Sequence, residues 1–328
     1  MPERTGKLKF ALYWAAGCGG CEVALLDTDE RLLELAELAD IVFWPIAVDA
    51  KREHVEAMGE GDIDVAFING AVRNSEQEEM CRLLREKSGT VVAFGSCACF
   101  GGIPGLANFF SRREILDWVY SASPSTANPD GIRPLPQHQV REGRLTLPEF
   151  YRQVYKLNDI IQVDYYLPGC PPPPNLVLEA VTAIAEGKLP PPGSTLAPDT
   201  TVCEECERVK EEKRVRAFKR PHEIVPDPDR CLLELGMVCC GPATRAGCGA
   251  RCLSANMPCR GCFGPTSRVL DHGARIAGAI ATLVDSQDEE EIRDILEGIP
   301  DPSGTFYRFG LPASLLGGNR RKLREGVS

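Results

Sequence analysis

Apolar runs of strand length recur through the first half of the chain, at residues 8–14, 41–46, 63–69, 90–95 and 160–167, with helical patterns between the early ones. Within 22–38, Leu25, Leu26, Leu32, Leu33 and Ala36 fall on one side at helical spacing. Ser75-Glu-Gln-Glu78 reads as a capping box opening a helix whose inner face is Met80, Leu83 and Leu84. Strands alternating with helices every 25 to 30 residues or so predict βα units around a parallel sheet. The expected fold class is therefore α/β.

Residues 121–148, rich in Pro, Ser, Asn and Gly, read as an irregular insertion before the last of these strands. Beyond it, Asn175 is placed to cap a helix with Leu176, Val177, Ala180, Val181 and Ile184 inward. The prolines of LPPPGSTLAP, residues 189–198, forbid helix and central strand alike and predict a linker. The expected domains are 1–188 and 199–328. Nine of the fifteen cysteines lie between Cys203 and Cys262, in sequence with little clean periodicity and few large apolar side chains. That segment is expected to fold around metal. The closing stretch combines an apolar part that wants burial with a basic tail, solvated or in touch with a partner, and no internal repeat is visible.

Composition narrows the chemistry. A chain of 328 residues buries a sufficient core without disulfides, so fifteen cysteines without an export signal read as metal ligands or reactive thiols. The apolar stretch 10–16 after Arg4, Lys7 and Lys9 is short for a signal peptide, and a strand explains it. No run approaches the roughly 18 apolar residues of a membrane span. A net charge of -10 argues against nucleic acid as a partner. The expected location is the cytoplasm.

Ligands of an open parallel sheet collect outside the carboxyl ends of its strands. Three strand ends carry cysteine in glycine- or proline-rich loops: Cys18 and Cys21 in GCGGC, Cys97 in GSCACFGGIPG, and Cys170 in LPGCPPPP. Four thiols from three loops thus converge on one edge. Zinc and a [4Fe-4S] cluster both accept four thiolates, and Cys18 with Cys21 alone also fits a thioredoxin-like dithiol at a helix N-terminus. The dithiol leaves Cys97 and Cys170 unexplained. The surrounding glycines favour the cluster, because they admit something bulkier than one ion and offer N–H donors to its sulfurs.

In the second half, Cys240 directly follows Cys239 and would struggle to bind the same metal, which leaves eight cysteines, or two sites of four. Chain order groups Cys203, Cys206, Cys231 and Cys239, then Cys248, Cys252, Cys259 and Cys262. An interleaved division, as in two-cluster ferredoxins, and a pair of structural zincs both remain open here.

GCGGC, GSCACFGGIPGLAN, PGCPP, CEEC, RPHEIVPDPDRCLLELG, CGPATRAGCGARC and MPCRGCFGPT together resemble the small subunit of cytoplasmic [NiFe] hydrogenases, of the methyl-viologen-reducing type that does not reduce the deazaflavin cofactor. The resemblance runs from about Leu8 to the C-terminus. It implies a flavodoxin-like domain followed by an irregular cluster-binding domain, and three [4Fe-4S] clusters. Cys18, Cys21, Cys97 and Cys170 would hold the proximal one; Cys248, Cys252, Cys259 and Cys262 the medial one; Cys203, Cys206, Cys231 and Cys239 the distal one. Periplasmic relatives use a histidine where Cys203 stands, and their medial cluster often has three cysteines, whereas Cys252 supplies a fourth here.

The resemblance further implies a non-catalytic, electron-transferring subunit of an oxidoreductase acting on hydrogen. A separate large subunit would split dihydrogen, and the acceptor would be an iron-sulfur or flavin protein such as a heterodisulfide reductase complex. Cys81 is expected in the core, Cys240 as a buried thiol near a cluster, and Asp49 and His222 at the surface; Cys99 competes with Cys97 as a proximal ligand. Two rivals remain: a subunit related to respiratory complex I or a membrane-bound hydrogenase, and a zinc-structured binding module. Complex I subunits have adjacent cysteines instead of CxxC and lack the later sets.

Overall fold

The computed structural model describes residues 6–211 and 214–316. The basic C-terminal tail and Arg4 lie outside the described residues. Nine strands occur among the described residues: β1 (Leu8–Trp14), β2 (Ala39–Phe43), β3 (Ile63–Asn69), β4 (Val72–Asn74), β5 (Ser88–Phe94), β6 (Gln137–Val140), β7 (Gly143–Thr146), β8 (Phe150–Tyr155) and β9 (Tyr165–Leu167). Five of them form one sheet in the order β2-β1-β3-β5-β9, and every pairing in it is parallel. This is the doubly wound, flavodoxin-like order, whose direction of winding reverses between β1 and β3.

Alternation along the strands divides the apolar side chains between two cores. Phe10, Leu12, Val65, Phe67, Val92 and Phe94 face one way. Leu25, Leu35, Val177 and Val181 from three helices cover them. Phe67 holds the middle of an aromatic row, 5.1 Å from Phe10 and 5.4 Å from Phe94 between ring centroids. Ala11, Ala66, Ile68, Val91 and Ala93 face the other way, against Met80, Cys81 and Leu84 of the helix Ser75–Lys87. Cys81 is thus a core residue.

Several boundaries differ from the expectations, each for a local reason. The pattern over 22–38 splits into helices Gly20–Leu26 and Leu32–Leu38, because the Thr28 hydroxyl donates to the Leu25 carbonyl and Asp29 turns left-handed. Leu33 is consequently exposed. The capping box belongs to Asn74 and Gln77, one residue before Ser75 and Glu78. Proline supplies the first turn of Pro174–Ala185, so Asn175 lies inside that helix. Of 160–167 only Tyr165–Leu167 is strand; Ile160, Ile161 and Val163 bury from an irregular path. The insertion carries the hairpin β6–β7, and β8 beyond it pairs with β4.

Residues 189–198 hug the sheet: the Tyr166 amide donates to the Ser194 carbonyl, and the Leu196 amide to the Tyr166 carbonyl, extending the edge at β9. The second half has an apolar core of its own. Ile276 and Ile280 of helix His272–Ala281 and Ile295 of helix Glu289–Glu297 pack on Val215, Phe218, Leu232, Met237 and Leu253. The cysteine-rich segment therefore supplies more large apolar side chains to a core than its sequence leads one to expect, and the helices after it complete that core. The apolar part of the closing stretch is buried as expected at Phe309 and Leu311.

Candidate metal-cluster sites

The first site forms where the winding of the sheet reverses. Cys18 and Cys21 follow β1, Cys97 lies in the helix Gly95–Phe100 that leaves β5, and Cys170 follows β9. Burial first, then the charges of Cys97, Cys170 and Cys18, holds the Cys21 thiol well above the ordinary thiol range. Cys97 is pushed up to about 12, again by burial and then by Cys170 and Cys18. The four thiols sense one another, so the structure brings together the four strand-end cysteines.

Glycines make the room. A Cβ on Gly95 would lie 2.3 Å from the Cys21 sulfur, and one on Gly102 would lie 2.5 Å from the Cys97 sulfur. Backbone N–H groups are aimed at the sulfurs, from Gly20 to Cys18 at 3.4 Å and from Ile103 to Cys97. These are the donors that a buried, negatively charged thiolate cluster needs.

Cys99 adjoins this cradle: burial first, then the charges of Cys21 and Cys97, hold its thiol well above the ordinary thiol range. Its thiol is buried and donates to the Ala93 carbonyl on β5 at 3.3 Å, while Cys97 points into the site. Asp49 and His222 are exposed.

The second site is a cavity of about 410 Å³ lined by Cys248, Cys252, Cys259 and Cys262, with Cys170 and the prolines after it on its near wall. Burial drives the Cys262 thiol up to about 12, with Cys248 and Cys170 adding to it. The Cys262 sulfur accepts the Cys170 N–H, the Cys248 sulfur accepts those of Ala250 and Arg251, and the Cys259 sulfur accepts that of Gly261. The first and second sites therefore share a wall.

The third site joins Cys203, Cys206, Cys231 and Cys239. Burial raises Cys203 to about 11, Lys210 opposes that rise, and Cys231 and Cys206 add to it. Gly241 leaves the space between the sulfurs of Cys203 and Cys239, 3.3 and 3.6 Å from where its Cβ would be. The site meets the second one through backbone: the Cys240 amide donates to the Cys259 carbonyl at 2.9 Å, and the Cys239 sulfur accepts the Cys259 N–H. Cys259 stands between the two sets: after burial, the charges of Cys239 and then Cys240 raise its thiol ahead of that of Cys262.

Sequence reasoning misses three buried polar side chains. His272, rather than His222, lies between the loops of the second and third sites, 3.3 Å from the Thr244 hydroxyl, with its ring against Gly261. Arg208 is buried beside the third site and donates to carbonyls of Asp227, Arg230 and Leu253. Glu22, one residue after Cys21, is buried with the Asn69 amide as donor to its carboxylate at 3.2 Å. Its position next to a cysteine, on the inward side of a short helix, is the available signal.

Residues 18–184 match the family described as NADH ubiquinone oxidoreductase, 20 Kd subunit. The chain is 40% identical, over 94% of its length, to the iron-sulfur subunit of the F420-non-reducing hydrogenase of Archaeoglobus profundus, 98% of which is covered. It is 41% identical, over 95% of its length, to a subunit of the F420-non-reducing hydrogenase vhu of Methanocaldococcus jannaschii, with the same 98% coverage. Among solved structures, a chain of the [NiFeSe]-hydrogenase of Dm. baculatum shares the fold. Its TM-score is 0.51 at 20% identity, with 80% of this chain and 96% of that one covered.

Proposed function

This chain belongs to the family of F420-non-reducing hydrogenase iron-sulfur subunits, parts of an oxidoreductase acting on hydrogen, and from that premise we propose that it carries electrons through three [4Fe-4S] clusters. Cys18, Cys21, Cys97 and Cys170 would hold the proximal cluster, Cys248, Cys252, Cys259 and Cys262 the medial one, and Cys203, Cys206, Cys231 and Cys239 the distal one. The observation that carries this reading is the convergence of four thiols from three strand ends around space kept open by Gly95 and Gly102. Among the described residues no group of three His, Cys, Asp or Glu side chains is placed to hold a single metal ion. A cubane interposes iron and sulfide between its ligands, and the glycines beside the sulfurs of Cys21 and Cys97 leave room for such a bulky group. When bound, such clusters take up and release single electrons.

The protein's own part is to exclude water, supply N–H donors and keep the three thiolate sets in contact. The domain division at 1–188 and 199–328 then separates the proximal set from the other two. Exposed apolar side chains rim the first site: Trp14, which packs against Gly19, and Val23 and Leu26 on the helix of Cys21. They supply the surface on which a hydrogen-splitting large subunit docks. Electrons then leave from the third site, whose groove is lined by Lys210, Arg214 and Arg275, toward an iron-sulfur or flavin acceptor such as a heterodisulfide reductase complex. No helix among the described residues is long and apolar enough to cross a membrane. The proposed location is the cytoplasm.

The test is anaerobic copurification from the native source with metal analysis of the bound chains. About twelve irons per copy of this chain, with nickel only where the large subunit accompanies it, is the expected result. Iron near four per chain would remove the medial and distal assignments, and colourless protein with stoichiometric zinc would overturn the reading.

A further inference from the structure

Ser96 stands between Gly95 and Cys97 and is almost fully buried, at 1% exposure. Its polar groups reach two other cysteine loops. The amide donates to the Gly169 carbonyl at 2.7 Å, one residue before Cys170. The hydroxyl donates to the carbonyl of Cys262, 166 residues further along the chain. Because the Cys262 sulfur also accepts the Cys170 N–H, that residue is held at both its carbonyl and its sulfur by loops of the first site.

We propose that Ser96 is a positioning residue that fixes the Cys262 side of the second site against the first and so sets the separation across which an electron passes between them. The inference rests on the cluster assignment above. One electron lost at the first site is gained at the second, and no bond is made or broken at Ser96.

Packing around the contact explains why a hydroxyl is needed. Phe263, the next residue, is buried in the core of the sheet domain, and Gly264 lies against the Phe100 ring. These apolar contacts hold the chain after Cys262 but are non-directional. A hydrogen bond to the Cys262 carbonyl fixes the rotation of that peptide, and with it the direction of the side chain. Losing the hydroxyl would also remove the donor that this carbonyl now uses.

The experiment uses the complete hydrogenase complex carrying Ser96→Ala, Ser96→Thr or Ser96→Val in this subunit. Threonine keeps the hydroxyl, and valine copies its shape without it. Iron per chain is measured first in the parent complex; an iron-free parent would overturn the cluster assignment and this proposal with it. The magnetic interaction between the reduced first and second sites is then read by electron paramagnetic resonance, and the reduction of the second site is timed after hydrogen is admitted. The expected result is parent-like coupling and rate in Ser96→Thr, with weakened coupling and a several-fold slower rate in Ser96→Val and Ser96→Ala. Threonine and valine variants that behave alike in both readouts, whether intact or defective, overturn the proposal. So does an alanine variant that matches the parent.

Discussion

Gly95 and Cys21 stand so close that a Cβ on the glycine would lie 2.3 Å from the cysteine sulfur, a separation that real Cβ atoms do not adopt. Gly95 also has φ +84°, where a side chain is strained whatever the space. The backbone after β5 is thereby drawn over the sulfur, and Cys97 follows two residues on. Gly95→Ala is expected to displace Cys21 and empty the first site while leaving the other two, a loss of about four of about twelve irons per chain. Iron and acid-labile sulfide analysis of the anaerobically purified variant checks it.

A second close approach ties the end of the described chain to the loop of Cys97. Cβ atoms on Gly101 and Gly105 would lie 2.2 and 2.4 Å from ring carbons of Pro312, so these two glycines form a slot for the proline. Gly105→Ala overfills the slot, at a cost of about 1–3 kcal/mol. Because the clash is with Pro312 alone, Gly105→Ala with Pro312→Ala together should be less destabilised than the sum of the single variants. Denaturation midpoints of the four proteins read this coupling, and simple additivity would contradict it.

Arg208 joins the loop of Cys206 to the segment after Cys252. Its guanidinium donates to the carbonyls of Asp227, Arg230 and Leu253 and to the Asn256 side chain, with distances from 2.6 to 3.2 Å. Arg208→Met removes these donors at once, taking the guanidinium from the part-buried carbonyls of Asp227 and Arg230 while the Leu253 carbonyl keeps the Asn256 amide, and is expected to cost about 1–3 kcal/mol. Arg208→Lys should recover little of this, since an ammonium has no planar fork to span the same acceptors. Chemical denaturation of the iron-loaded protein under anaerobic conditions measures both.

The sheet and the strand-end cysteines were legible in the sequence because period-two alternation and glycine- or proline-rich strand ends are local signals. Leu8–Trp14 and Ile63–Asn69 have the bounds read from the sequence, as their inward and outward residues alternate between two buried faces. The features that escaped depend on remote partners. Acceptors of Arg208 lie 19 to 48 residues away in the chain, and nothing near Arg208 announces them. The core of the second half was missed partly for the same reason, since Ile276, Ile280 and Ile295 follow the cysteines they support. Between Leu26 and Leu32 the apolar spacing continued through a break that only the Thr28 side chain and the Asp29 backbone reveal.

His272 supplies a pH dependence with a definite sign. Burial lowers its imidazole pKa from 6.5 to about 4, and neither the Asp271 charge nor the hydrogen-bonded backbone around Ala243 offsets this. The neutral ring is therefore favoured in the folded protein. Above pH 6.5 the residue is neutral in folded and unfolded chains alike, and its contribution to stability is complete. As pH falls from 6.5 toward 4 the unfolded chain takes up a proton that the folded one refuses, so stability is lost across that window, by about 3 kcal/mol. Below about pH 4 the folded protein is protonated too and the loss levels off. His272→Gln, which keeps a hydrogen-bonding group near the Thr244 hydroxyl but does not titrate, should flatten this part of the profile. The check is the difference between parent and variant unfolding midpoints from pH 7.5 to about 4, in which carboxylates common to both cancel. A difference that stays constant across the range would show that the buried imidazole does not set this dependence.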